Sequence, residues 1–199
     1  MKQSSSKLQA KDLVTIGIFT ALYFAVCVVF EIAGGLAPLV WVFMPTFLAL
    51  FCGPIYMTLA NKVQKFGVPF LMALITSLIC SVRGGYFFVL IITFVIAGLL
   101  AEGVRKQMGY DSEKGNLVSY AVFSLGMVGN LLPVWIFRQD FLDQMVVRGM
   151  PQDYVDTMWE VTPVWVLIVM IIATFLVAFI GGKIGQNVVR KHLKKSGMV

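Results

Sequence analysis

The chain has 199 residues, of which 59% are hydrophobic and 13% charged, and it carries a formal net charge of +6. A water-soluble domain has about 25% charged residues, so the composition excludes an ordinary soluble fold and leaves one integral membrane domain over residues 1–199. The positive charge requires no nucleic-acid partner, because basic residues beside apolar runs are the means by which a membrane chain sets its orientation.

Six apolar runs follow one another at about residues 13–30, 36–60, 66–82, 86–101, 115–137 and 161–182. They lack the alternation of a barrel, and their length and near-absence of charge read as bilayer-spanning helices. The expected fold class is therefore an all-α membrane protein with six transmembrane helices. The third and fourth runs are short, about 25 Å as helices, which predicts crossings with little tilt. In the fifth run Gly129 and Pro133 flank Asn130 and predict a kink. The segment 138–160, RQDFLDQMVVRGMPQDYVDTMWE, has Phe141, Met145 and Val146 at helical spacing, then Gly149 and Pro151, then Tyr154, Val155 and Met158. It reads as two short amphipathic helices, the second starting at Pro151. These either lie on the membrane or fold over a pocket.

The basic residues decide the expected orientation. The two terminal segments and the connections containing Lys62, Lys65, Arg105, Lys106 and Lys114 hold all the Lys and Arg residues except Arg83, Arg138 and Arg148. The positive-inside rule then puts both termini in the cytoplasm, with segment 138–160 on the outer side of the membrane.

The outer side collects unusual residues. Glu31 ends the first run, and Arg83 stands in the tight turn CSVRGGYFF before Gly84, Gly85 and Tyr86. Asn130 lies within the fifth run and Arg138 closes it. Trp41, Trp135, Trp159 and Trp165 all fall on this side, either as an interfacial belt or as walls of an outward pocket suited to a planar ligand. Glu31, Arg83 and Arg138 either meet a ligand or pair with one another and with headgroups. Cys27, Cys52 and Cys80 sit inside apolar runs without metal-ligand spacing, and the single histidine, His192, is in the tail. With no metal-binding helix, nucleophile elbow or phosphate loop, no enzymatic activity, catalytic residue, metal or cofactor is expected. In the first run Gly17, Ala21 and Ala25 recur every four residues, a stripe that lets helices approach closely. It packs either inside the chain or against another protein.

Several segments carry a family likeness: KLQAKDLVTIGIFTALYF at the start, GPIYMTLANKVQKFG at 53–67, YAVFSLGMVGNLLP at 120–133 and RGMPQDYVDTM in the long connection. With six spans and the span-one stripe, the chain resembles the substrate-binding S-components of energy-coupling factor (ECF) transporters. More specifically it resembles the integral-membrane family Trep_Strep, also labelled MptD-type S-components. The resemblance implies a subunit that captures a vitamin-like micronutrient outside and docks onto a membrane T-component carrying two ABC ATPases. It maps the docking stripe onto Ala21 and Ala25, beside Gly17, and a ligand gate onto the 31–38 connection. It also admits Tyr86, Asn130, Trp135 and Trp165 to a pocket that Glu31, Trp41, Arg83 and Arg138 would share. The competing readings are a self-sufficient small-solute carrier or channel, and a lipid-modifying membrane enzyme.

Overall fold

The computed structural model describes residues 7–82 and 85–195, and among them there is no strand. Helix α1 runs Ala10–Leu36, followed by α2 (Pro38–Val42), α3 (Met44–Phe51), α4 (Gly53–Lys62) and α5 (Val68–Ser81). Then come α6 (Phe87–Met108), α7 (Glu113–Ser124), a 3₁₀ segment Leu125–Asn130, α8 (Pro133–Ile136), α9 (Arg138–Val147), α10 (Gln152–Val161) and α11 (Val164–Lys195). Among the described residues α1, α6 and α11 are long and apolar enough to cross a membrane. The α3–α4 pair, bent by 49°, is a fourth candidate if it counts as one span.

Proline explains much of this segmentation. Pro38, Pro45, Pro54, Pro69 and Pro133 each occupy the first or second position of a helix, and Pro151 caps α10. Proline fits there because its missing N–H has no intrahelical partner to lose. The second apolar run, expected as one helix over 36–60, is therefore three helices. Tyr120 repairs the bend between α3 and α4 by donating to the Ala49 carbonyl at 2.8 Å. The expected kink in the fifth run is a change of winding, in which α7 tightens into the 3₁₀ segment. The connection expected over 31–38 is not a loop, because α1 continues to Leu36 and only Ala37 separates it from α2. The fourth run is longer than 86–101, since α6 extends to Met108.

Glycines set the closest helix contacts. A Cβ on Gly53 would lie 2.0 Å from the Gly181 carbonyl oxygen, and one on Gly181 would lie 2.2 Å from that of Ala49. The backbones of α11 and the α3–α4 bend thus touch, as small residues permit in lipid. On the other side of the bundle, Thr93 of α6 donates to the Gly126 carbonyl at 2.9 Å, and a Cβ on Gly126 would strike the Phe94 ring. The core between these contacts holds Tyr23, Tyr56, Tyr120, Phe94 and Phe123.

The two ends of the bundle differ chemically. At one end Lys65 pairs with Asp12 at 2.7 Å, and Arg190 pairs with Glu113. Between them Arg105 is wholly buried. It donates to the Ala60 and Val63 carbonyls at the end of α4 and to Asn116 of α7, with its guanidinium over the Tyr110 ring. Glu102, one turn earlier on the same helix, is also buried. Arg105 was expected in a connecting segment, but the extension of α6 carries it inside. Phe87 at the other end of α6 lies about 27 Å away, counting 1.5 Å per residue, close to the thickness of a hydrocarbon core.

Candidate functional site

The end opposite Arg105 encloses a cavity of about 300 Å³. Its floor is the end of α1 (Glu31, Gly35) with Trp41 of α2, and one wall is the α5–α6 corner (Cys80, Ser81, Tyr86, Phe87, Leu90). Gly129, Asn130 and Pro133, where the 3₁₀ segment gives way to α8, form a second wall. The cover is the α9–α10 pair, which contributes Phe141, Met145, Arg148, Met150 and Tyr154.

The cover forms because segment 138–160 is indeed two helices, turned at Gly149 with φ 89°. Such a left-handed conformation favours glycine, which has no Cβ to clash. Leu142 and Met145 of α9 and Val155 and Met158 of α10 bury against Val42 and Val166, giving the cover a small core of its own. Polar contacts then fasten it to the bundle. The Tyr154 hydroxyl donates to the Gly34 carbonyl at 2.7 Å, and the Tyr86 hydroxyl donates to Asp140. Phe141 stacks on Trp41 with ring centroids 5.8 Å apart, and Tyr86 stacks on Phe137 at 4.6 Å. Gly34 lets Trp41 approach α1 closely, since a Cβ there would stand 2.9 Å from its ring. Burial pushes the Tyr154 phenol up to about 12, so it stays a donor at any physiological pH.

Of the residues singled out in the sequence, Glu31, Trp41, Tyr86 and Asn130 come together around this cavity. Arg83 lies outside the described residues. Arg138 does not line the cavity. Its guanidinium donates to the Thr162 and Trp159 carbonyls and sits 4.1 Å from the centre of the Trp159 ring, tying α9 to the end of α10. Trp135 packs behind the cavity wall and donates to the Pro163 carbonyl, while Trp165 is 63% exposed on the outside of α11. The sequence reading missed Arg148, Phe141, Met145 and Tyr154 as cavity residues. The helical spacing of Phe141, Met145 and Tyr154 marked an apolar face but not what that face covers.

Gly17, Ala21 and Ala25 are exposed along α1, and nothing lies within 4 Å of where a Gly17 Cβ would be. The stripe is therefore not internal packing. Among the described residues no three His, Cys, Asp or Glu side chains converge as metal ligands.

The model of the family Trep_Strep, described as hypothetical bacterial integral membrane proteins, matches residues 10–195. The chain belongs to that family. No curated protein and no solved structure matches it. The matched range takes in α1 with its bare stripe, the cavity and the whole cover, so the site is built from family sequence rather than from an appended segment.

Proposed function

We propose that this Trep_Strep protein is the membrane-embedded substrate-binding subunit of an ECF-type ABC importer. In this reading the cavity holds a vitamin-like micronutrient at the outer face of the cell membrane. The α1 stripe docks on a T-component with two ABC ATPases, and the chain itself has no enzymatic activity. The observation that carries the reading is the covered cavity. It is small, aromatic-walled and closed by a separately packed helix pair, as suits capture of one solute rather than a continuous pore. The bare Gly17–Ala21–Ala25 stripe supports the docking part, because small residues left uncovered on a membrane helix suit close approach by another helix. Six crossings follow if α2–α4 count as one bent span and α7–α8 as another, with α1, α5, α6 and α11 the rest. The basic residues around Arg105 then favour a cytoplasmic address for both termini.

Affinity purification in mild detergent from native membranes tests this. One further integral membrane protein and two ABC ATPases are expected to co-purify. Ala21→Leu, which alters a side chain the chain itself leaves exposed, is expected to fold normally and lose them. Recovery of the chain alone, with Ala21→Leu indistinguishable, would reject the docking role and favour a self-sufficient carrier.

A further inference from the structure

We propose, resting on the binding role above, that the cavity selects a small anionic molecule with a flat, amide-like edge. Arg148 would meet the anionic group and Asn130 the edge.

Four of the other polar side chains around the cavity are already committed. The Tyr86 hydroxyl donates to Asp140, that of Tyr154 to Gly34 and that of Ser81 to the Ser77 carbonyl, and Glu31 is engaged as well. Asn130 and Arg148 differ. Among the described residues the Asn130 side-chain amide has no hydrogen-bond partner, although the residue is half-buried at the cavity wall. Its position is rigid, because a Cβ on neighbouring Gly129 would lie 1.8 Å from the Thr93 hydroxyl oxygen, so the backbone is pressed onto α6. A primary amide offers a donor and an acceptor side by side, which matches the N–H and C=O edge of a lactam ring.

Arg148 follows the last turn of α9 and reaches over the α5–α6 corner. Its Nη2 stands 3.0 Å from where a Gly85 Cβ would be, so any side chain at position 85 would displace it. Its contact with Gln144 is long, at 3.5 Å, and among the described residues no carboxylate pairs with it. Arg138, by contrast, donates from both terminal nitrogens to backbone carbonyls. The acidic residues of the cover do not contradict this polarity. Asp143 and Asp156 line a separate groove between α9 and α10 and accept from Gln139 and Gln152, while Asp140 accepts from Tyr86 and Gln144. The carboxylate on the cavity lining is Glu31, on the α1 floor and already engaged, whereas Arg148 comes from the cover. A guanidinium without a fixed counter-charge at a pocket rim selects carboxylate or phosphate by charge-assisted hydrogen bonds. The volume is at the small end for ligand pockets, which limits the molecule to one or two fused rings.

The test is calorimetric titration of the full chain in detergent with orotate, its neutral methyl ester, uracil and the cation N-methylnicotinamide. Orotate is expected to bind at least about tenfold more tightly than the ester, one charge-assisted contact's worth. Arg148→Gln is expected to erase that ratio and Arg148→Lys to keep part of it. Asn130→Leu is expected to weaken orotate, ester and uracil together while leaving the ratio intact. Equal binding of ester and orotate, tightest binding of the cation, or no binding by any of the four up to millimolar concentration overturns the substrate class. A ratio that survives Arg148→Gln overturns the role of Arg148. Loss of partner recovery in the purification experiment, with this ratio intact, rejects the importer reading alone.

Discussion

Tyr154 shows how one hydroxyl fastens the cover. Its donor reaches the carbonyl of Gly34, which also accepts the capping N–H of Ala37 at the end of α1. Tyr154→Phe keeps the ring and removes this hydrogen bond between cover and bundle, so unfolding in detergent is expected to show a loss of about 1 kcal/mol. Burial raises the folded-state pKa from the ordinary 10.0 to about 12. A raised value means that the folded protein holds this proton more tightly than the unfolded one. Its contribution is whole below pH 10 and is lost as pH rises through about 12. A spectrophotometric titration of wild type minus Tyr154→Phe should show one phenol ionising late; a difference step near 10 would mean the hydroxyl is not held in the cover. Arg105 teaches another lesson at this scale. In sequence it is one of a run of basic residues outside an apolar segment, yet it is buried near Glu102, with its Nε donating to Asn116 of α7 and its Nη2 to the carbonyls at the end of α4. Only its i, i+3 spacing from Glu102 hinted at a pair on one helix face.

At the scale of elements, proline and glycine did more than hydrophobicity to decide the architecture. Pro38, Pro45 and Pro54 recur through the second apolar run, and that spacing was a readable sign of three short helices rather than one. Hydropathy averages over such breaks, which is why the run looked continuous. The α11 contact shows what glycine supplies. Gly181→Ala would put a methyl group 2.2 Å from the Ala49 carbonyl oxygen and 2.6 Å from that of Leu50. Both are backbone atoms at a bend, so relief requires parting the helices. The expected cost is about 3 kcal/mol or more, seen as a lower unfolding temperature in detergent. Gly17→Ala, on the bare face of α1, meets no neighbour and should not lower stability by the same measurement. The cover pair was legible as elements, from the Gly149 and Pro151 punctuation and the apolar spacing. Its choice between lying on the membrane and roofing a cavity was not, because both need the same amphipathic pattern.

For the whole molecule, the asymmetry between ends makes a direct prediction. With the cavity end outside, a cysteine placed at exposed Val147 on the cover should react with a membrane-impermeant maleimide on intact cells. One at Gln107, at the Arg105 end, should react only after permeabilisation, in a Cys80→Ala background that removes the native cavity thiol. The reverse pattern would invert the orientation. The sequence by itself determined that the chain is helical and membrane-integral, where charge is tolerated, and which end gathers the aromatic and polar residues. These follow from composition and local spacing, since each apolar run meets the cost of burying its backbone on its own. Which of those residues share a cavity was decided only in three dimensions. Glu31, Trp41, Tyr86 and Asn130 meet there, Trp165 faces away, and Arg138 is used up as a tie while Arg148 is left over. The reason is physical: a hydrogen-bond donor's role depends on which carbonyls the packed helices leave within reach, and that geometry exists only once α9 and α10 have closed over the end of the bundle.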